Sequence, residues 1–295
     1  MARLFDKSSS QRLQVDFSGV TAVPLSFSFL MYPTLDDDVL QTAFCIINKD
    51  VSGDWWEATY TAPAPDNRTI IETRNQGTSQ GVYVPGTKMN TWNHVAFVSP
   101  ASNAHQAYLD NVKSAPGTTD VTPSGVNSIG IGAEADNSPG EFFNGGVAEV
   151  GVWNAALTDA EIALLYMRYS PLLVRPQNLV FYAPLTYHSK DFDIVGRLNM
   201  TAYNSPSWME HPSGMIYPEP MPAMIGSQLP YFWTLPVAEE EIVESTVQLD
   251  TLSAIFSAEA LSVSIDGGTE FPFSDDWTGA DDAIWNATKW TTVAG

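Results

Sequence analysis

From Pro24 the chain alternates between apolar and polar residues. In Pro24-Leu25-Ser26-Phe27-Ser28-Phe29-Leu30-Met31-Tyr32, the residues Leu25, Phe27, Phe29 and Met31 recur at every second position. A strand points successive side chains to opposite faces, so this spacing predicts a strand with one face in a core. His94–Val98, His105–Leu109, Ser128–Gly132 and Gly146–Trp153 read the same way, with Val150 and Val152 facing inward. Asp110-Asn111 separates Leu109 from Val112. Asn tolerates the left-handed backbone that a tight hairpin needs, so these two residues predict a two-residue turn. One segment changes period. Ile162, Leu165 and Tyr166 repeat at i, i+3 and i+4 behind Thr158-Asp159-Ala160-Glu161. That is a capping-box pattern opening an amphipathic helix over 158–168. Tyr169-Ser170-Pro171 ends it, because the residue before proline avoids the helical region.

The pattern divides after residue 170. Residues 171–236 form an apolar, proline-punctuated segment, with Pro212, Pro218, Pro220, Pro222, Pro230 and Pro236 crowding its second half. So many prolines exclude regular structure over residues 209–236, and the whole segment predicts a strap docked on the sandwich or on a partner. Trp208, Tyr231, Phe232 and Trp233 are its candidate docking residues, with Tyr217 as a further anchor. Residues 237–295 predict an acidic, extended β arm, which could be the start of a further β domain, with strands at Thr246–Asp250 and Ala258–Ile265.

Charge sharpens this division. The formal net charge is −21, and residues 206–295 hold fourteen acids against Lys289 alone. Phosphate neutralisation needs the opposite sign, so nucleic acid is excluded as a partner, and anionic membranes are disfavoured for the same reason. No apolar run reaches the roughly 18 residues that suggest a membrane span. A lone cysteine, Cys45, sits in Ala43-Phe44-Cys45-Ile46-Ile47 and reads as a small buried hydrophobe. Met1-Ala2-Arg3-Leu4-Phe5-Asp6 lacks the apolar stretch of a secretory leader, so the expectation is folding in a reducing cytoplasm.

The order of the pieces carries a resemblance. Thr91-Trp92-Asn93-His94-Val95-Ala96 precedes Ala107-Tyr108-Leu109-Asp110-Asn111, then Ile129-Gly130. Phe143-Asn144-Gly145-Gly146-Val147-Ala148-Glu149-Val150 follows, then Leu157-Thr158-Asp159-Ala160-Glu161-Ile162. This succession over residues 2–170 resembles the laminin-G-like branch of the concanavalin A-like lectin/glucanase superfamily. Two positions depart from that pattern, Asn111 for a hairpin glycine and Ala148 for an aspartate. The resemblance implies an all-β, two-sheet antiparallel jelly-roll sandwich over residues 1–170. The stretch from Ser170 to Leu185 also resembles a continuation seen in laminin-G-like proteins of tailed bacteriophages. What this implies is a virion structural protein made in the host cytoplasm and exposed on the particle exterior, as a capsid decoration or head fibre. Its partners would be other virion proteins and further copies of itself. A tail fibre or adhesin that binds cell-surface carbohydrate is the alternative, with Trp55-Trp56 as the candidate aromatic contact.

No catalytic set emerges. Glycosidic hydrolysis needs two carboxylates flanking the sugar bond, and the superfamily's glucanases carry them as Glu-x-Asp-x-x-Glu, which is missing here. Glu149 stands alone and reads as a strand-edge acid bound to a loop, while Asp191 and Asp193 read as a solvated loop. His94, His105, His188 and His211 lack metal-ligand spacing. The expectation is a non-enzymatic protein without a cofactor. The one exception left open by the resemblance is a structural calcium ion, with Asp36, Asp37, Asp38, Asp136 and Asn137 as candidate ligands.

Overall fold

The computed structural model describes residues 1–35, 39–61, 67–186, 191–218, 262–265 and 269–272. Asp36–Asp38, Tyr231, Phe232 and Trp233 lie outside the described residues. The chain divides into two compact units, Met1–Pro218 and Glu219–Gly295.

The first unit is a sandwich of two antiparallel sheets. Its strands begin with β1 (Ala2–Phe5), β2 (Arg12–Asp16), β3 (Leu25–Pro33), β4 (Gln41–Ile47), β5 (Asp54–Thr61) and β6 (Arg68–Asn75). They continue with β7 (Thr78–Pro85), β8 (Asn93–Ala101), β9 (Ala104–Leu109), β10 (Val112–Lys113), β11 (Ser128–Ile131) and β12 (Gly145–Trp153). After the helix α1 (Asp159–Tyr166) come β13 (Leu179–Ala183), β14 (Phe192–Asp193), β15 (Leu198–Asn199), β16 (Thr201–Tyr203) and β17 (Ser207–Met209). One sheet runs β10-β9-β8-β3-β12-β1-β17, with β13 also paired to β12. The other runs β16-β2-β11-β4-β5-β6-β7. Among the described residues of the second unit, β18 (Ser262–Ile265) and β19 (Thr269–Pro272) pair as an antiparallel hairpin.

The alternation read from the sequence places the core. Leu25, Phe27, Phe29 and Met31 of β3 and Val150 and Val152 of β12 are all fully buried between the sheets. Phe27 meets Phe44 of β4 at 4.9 Å and Phe97 of β8 at 5.3 Å between ring centroids. Each such ring contributes on the order of 2–3 kcal/mol by leaving water. Asp110 and Asn111 both adopt positive φ, 47° and 64°, as the two-residue hairpin requires.

Helix α1 opens with both capping-box bonds, Thr158 Oγ1 accepting from the Glu161 amide and Glu161 accepting from the Thr158 amide. Glu161 also receives two hydrogen bonds from the Arg175 guanidinium, at 2.8 and 2.7 Å. Ile162 and Leu165 bury against Val98, Tyr108, Trp153 and Tyr182 on the outer face of the first sheet. Tyr166 departs from the predicted apolar face. It is 42% exposed, because the face that packs on the sheet is only two side chains wide.

Residues 171–209 extend the sandwich. Trp153 donates its indole N–H to the Val174 carbonyl at 2.8 Å, β13 joins β12, β16 joins β2 and β17 joins β1. Asp191 and Asp193 are not a solvated loop. Arg3 forms an ion pair with Asp191, and fully buried Asp193 accepts backbone N–H bonds from Tyr182, Val195 and Gly196 at 2.8–3.0 Å. The reason is the set of backbone donors around Asp193. Tyr182 of β13 supplies one of those donors, and Val195 and Gly196 of the turn that follows Asp193 supply the other two.

Candidate functional site

Chemistry concentrates on the outer face of the second sheet. On β5, Trp56, Ala58 and Tyr60 fill the core. The alternation therefore sends Trp55, Glu57 and Thr59 to the other side. Glu57 lies opposite Cys45 of β4 and Glu72 of β6, and two carboxylates directly opposite each other are mutually unfavourable. This face would be open to water in a bare sandwich. Here the loop of residues 132–142 crosses it. Glu134 and Gly140 close the loop as a bridge, and Thr42 donates its amide to the Glu141 carbonyl at 2.6 Å. Gly130 makes the approach possible. A Cβ there would stand 2.5 Å from that of Ala135 and 2.8 Å from Cys45 Sγ.

The crossing loop carries two acids onto a third. Carboxylate oxygens of Glu57, Glu134 and Glu141 lie within 4.8 Å of one another. Thr42 Oγ1 stands 2.5 Å from Glu57 Oε1, to which it donates, and 3.2 Å from Glu141 Oε2. Glu57 is 2% exposed. Burial pushes its carboxyl well above the usual range, and the neighbouring charges of Glu141 and Glu134 add to the shift. Burial, with Glu141 and Asp136 nearby, lifts Glu134 to about 7. Glu141 moves upward as well, chiefly through burial. Cys45 Sγ lies 3.5 Å from the Ala133 carbonyl oxygen, and burial raises its thiol well above the ordinary value. It is an inert core thiol rather than a nucleophile.

Such a trio can relieve its mutual repulsion in two ways. Its members can hold protons, or they can close on a hard cation, for which oxygens at about 2.4 Å from an ion lie up to about 4.8 Å apart. Neither state suits glycosidic hydrolysis. That reaction needs carboxyls on opposite sides of a sugar bond, whereas these converge on each other beneath a loop. The sequence pattern gave no access to this cluster, because Glu57 and Glu134 meet only through β-sheet register and a loop crossing.

Glu149, read as a strand-edge acid, occupies a bulge of β12. The register with β3 breaks between Ala148 and Gly151, and Glu149 takes φ +57°. It sits where β1 gives way to β13 along β12. Tyr182 and Tyr217 donate their hydroxyls to it at 2.5 and 2.7 Å, and His211 Nε2 stands 3.1 Å away. Its partners fasten Tyr182, His211 and Tyr217 to the sheet. Nearby His94 shares a 2.8 Å hydrogen bond with Ser28 Oγ. Burial lowers its pKa to about 3, so the ring is neutral.

Of the sequence candidates, Asp136 is buried beside Glu134 and accepts the Ser138 amide at 2.7 Å. Asn137 is exposed. Trp56 is wholly in the core, and Trp55 is 6% exposed. Trp55 donates to Glu72 at 3.2 Å and lies 5.2 Å from the Arg74 guanidinium. Neither ring is open to a sugar, since the sheet covers one and loop and arginine cover the other. Trp208 lies in β17 with Arg3 3.7 Å over its ring.

The concanavalin A-like lectin/glucanases superfamily matches this chain over residues 7–163. No curated protein matches. A Bacteroides ovatus protein assigned as carbohydrate-binding has a similar fold, with 18% identity and a TM-score of 0.50. The match covers 73% of this chain and spans 61% of that protein's length. A carbohydrate-binding module of a Ruminococcus gnavus sialidase, bound to sialyllactose, aligns at 14% identity and TM-score 0.45, covering 56% and 96% of the two chains. The enzymatically active domain of tailspike protein 2 from bacteriophage CBA120 aligns at 14% identity and TM-score 0.46, covering 63% and 31%. With its sandwich, strand order and matched motifs together, the chain belongs to the concanavalin A-like lectin/glucanase superfamily.

Proposed function

We propose that this chain is a non-enzymatic display protein of a tailed-bacteriophage particle, exposed on the particle surface as a capsid decoration or head fibre. The observation that carries the non-enzymatic part is the convergence of Glu57, Glu134 and Glu141 on one another under the 132–142 loop. Carboxylates so placed cannot straddle a substrate bond. The phage part is supported by the likeness of Ser170–Leu185 to phage-encoded continuations of this domain. A sandwich whose single cysteine is free also fits a protein released by lysis rather than secretion. In this reading the partners are other virion proteins and further copies of the chain, with residues 237–295 as the segment that meets them. Immunogold labelling of purified particles with antibody against residues 2–170 tests it. Label on the head is expected, and label on no particle at all ends the virion reading.

A second reading, a tail fibre or adhesin holding host-surface carbohydrate, is favoured by aromatic surface away from Trp55 and Trp56. Tyr203 of β16 is 37% exposed and stacks with Arg12 at 3.8 Å. Label confined to tail tips would select this reading over the first.

A further inference from the structure

A groove of about 450 Å³ runs along the outer face of the second sheet at its β16 edge. Its position follows from register. Residues 12, 14 and 16 of β2 point away from the core, while Leu13 and Val15 point into it. β16 pairs with β2 so that Thr201 lies opposite Gln14, and Tyr203 opposite Arg12. The other wall is the turn after β4, where Lys49 forms an ion pair with Asp16. Asn127 braces that turn, accepting the Lys49 amide at 3.0 Å and donating to Asp50 Oδ2 at 2.7 Å. The wall formed by residues 198–203 lies outside the stretch matched to the superfamily.

Its polar groups are positioned but not consumed. Gln14 spends its amide N–H on the Ala135 carbonyl at 2.9 Å, which fixes the side chain and leaves Oε1 without a protein partner among the described residues. The Asn199 amide and the Thr201 hydroxyl likewise have none among the described residues. Lys49 is balanced by Asp16, and Asp50 by the Arg12 guanidinium stacked on Tyr203, so the charged groups at the groove sum to zero. Tyr203 supplies a ring whose one face is occupied by Arg12. Alternating donors and acceptors beside an aromatic surface suit a ligand with many hydroxyls and an apolar ring face. The volume falls in the usual range of about 300–1,000 Å³ for small-molecule sites. With no net charge at the groove, carboxylated ligands gain no net Coulomb attraction there over uncharged ones.

We infer that this groove is a binding site for a neutral oligosaccharide, held by Tyr203, Gln14, Asn199 and Thr201. The inference rests on the carbohydrate reading above and gives that reading a place and a charge preference. The test uses the full chain against a panel of neutral hexose and N-acetylhexosamine oligosaccharides, with uronate and sialylated counterparts, followed by calorimetry on the strongest neutral binder. Binding of a neutral member is expected, weakened about tenfold or more by Tyr203→Ala and by Asn199→Ala, with Tyr83→Ala as an exposed aromatic control that leaves it unchanged. Melting curves of each variant separate lost binding from lost folding, and Asn199→Ala carries the test if Tyr203→Ala unfolds. Neutral-glycan binding that survives both variants overturns this site while sparing the carbohydrate reading. Preference for acidic glycans overturns the charge argument. No binding to any member removes the carbohydrate reading and the site together.

Discussion

Replacing Glu57 by Gln is expected to stabilise the sandwich at mildly alkaline pH and to do nothing in acid. The carboxylate oxygens of Glu57, Glu134 and Glu141 lie within 4.8 Å of one another. Two unit charges at that distance repel by about 3 kcal/mol at an effective dielectric constant near 20. The fold answers by holding protons. Glu134, about 7 in the folded chain, returns to an ordinary value near 4 when the chain unfolds, so the native state binds the proton more tightly. Its contribution is intact below about pH 4 and is lost as pH rises through about 7. Glu57 and Glu141 are shifted in the same direction. Glutamine keeps the shape of Glu57 and can still accept the Thr42 hydroxyl bond at Oε1, while removing one of the three charges.

Glu134 and Glu141 are only partly buried, so solvent screens part of the repulsion. A gain of roughly 1–3 kcal/mol is expected at about pH 8, falling to nothing by about pH 4. Urea unfolding followed by tryptophan fluorescence, with chelator present, measures it at several pH values. A Glu57→Gln protein that is less stable than the parent at alkaline pH, or equally shifted at every pH, would refute the reasoning. Repeating the series with millimolar calcium separates the two states open to the cluster. Stabilisation of the parent alone assigns it to a cation, and no response assigns it to shared protons.

Three further outcomes are expected. Thr158→Ala removes the cap on α1 and should cost about 1 kcal/mol in chemical denaturation, the helix keeping its packed face. Phe27→Ala empties the centre of the aromatic core shared with Phe44 and Phe97 and should cost about 3–5 kcal/mol by the same measurement. Incubation with laminarin, agarose, alginate or bacterial surface polysaccharide should release no reducing ends. Release abolished by Glu149→Gln or Glu57→Gln would overturn the non-enzymatic reading.

The sandwich was legible because its signals are local. Period-two alternation in β3 and β12, the left-handed pair Asp110-Asn111 and the capping box at Thr158 each declare a geometry within a few residues. Asp193 was misread for the converse reason. Two of its three amide partners, Val195 and Gly196, are local, but its burial rests on Tyr182, whose strand is placed by the distant pairing of β13 with β12. Trp55 and Trp56 show the same limit. Adjacent in sequence, they point to opposite faces, yet both are buried, because the second face acquired a cover that alternation alone does not reveal.

That cover also explains why the two candidate sites escaped a reading by motif. In each, a single strand of the second sheet presents its outward residues, and a segment remote in sequence closes over them. The 132–142 loop brings Glu134 and Glu141 to Glu57, some 80 residues away. β16 brings Thr201 and Tyr203 to Gln14 and Arg12, nearly 190 residues away. The shared sheet face thus carries two different environments side by side, with Gln14 reaching from the groove to the Ala135 carbonyl of the loop. Buried like charges make the loop side dependent on pH. The groove side, with Lys49 and Asp16 paired in solvent, contributes little to stability. Asn199 and Thr201, whose side chains bond nothing among the described residues, are therefore expected to be open to substitution at little cost to the fold. The proposed glycan preference can therefore be altered at Asn199 and Thr201, while the pH dependence of the fold stays with Glu57, Glu134 and Glu141.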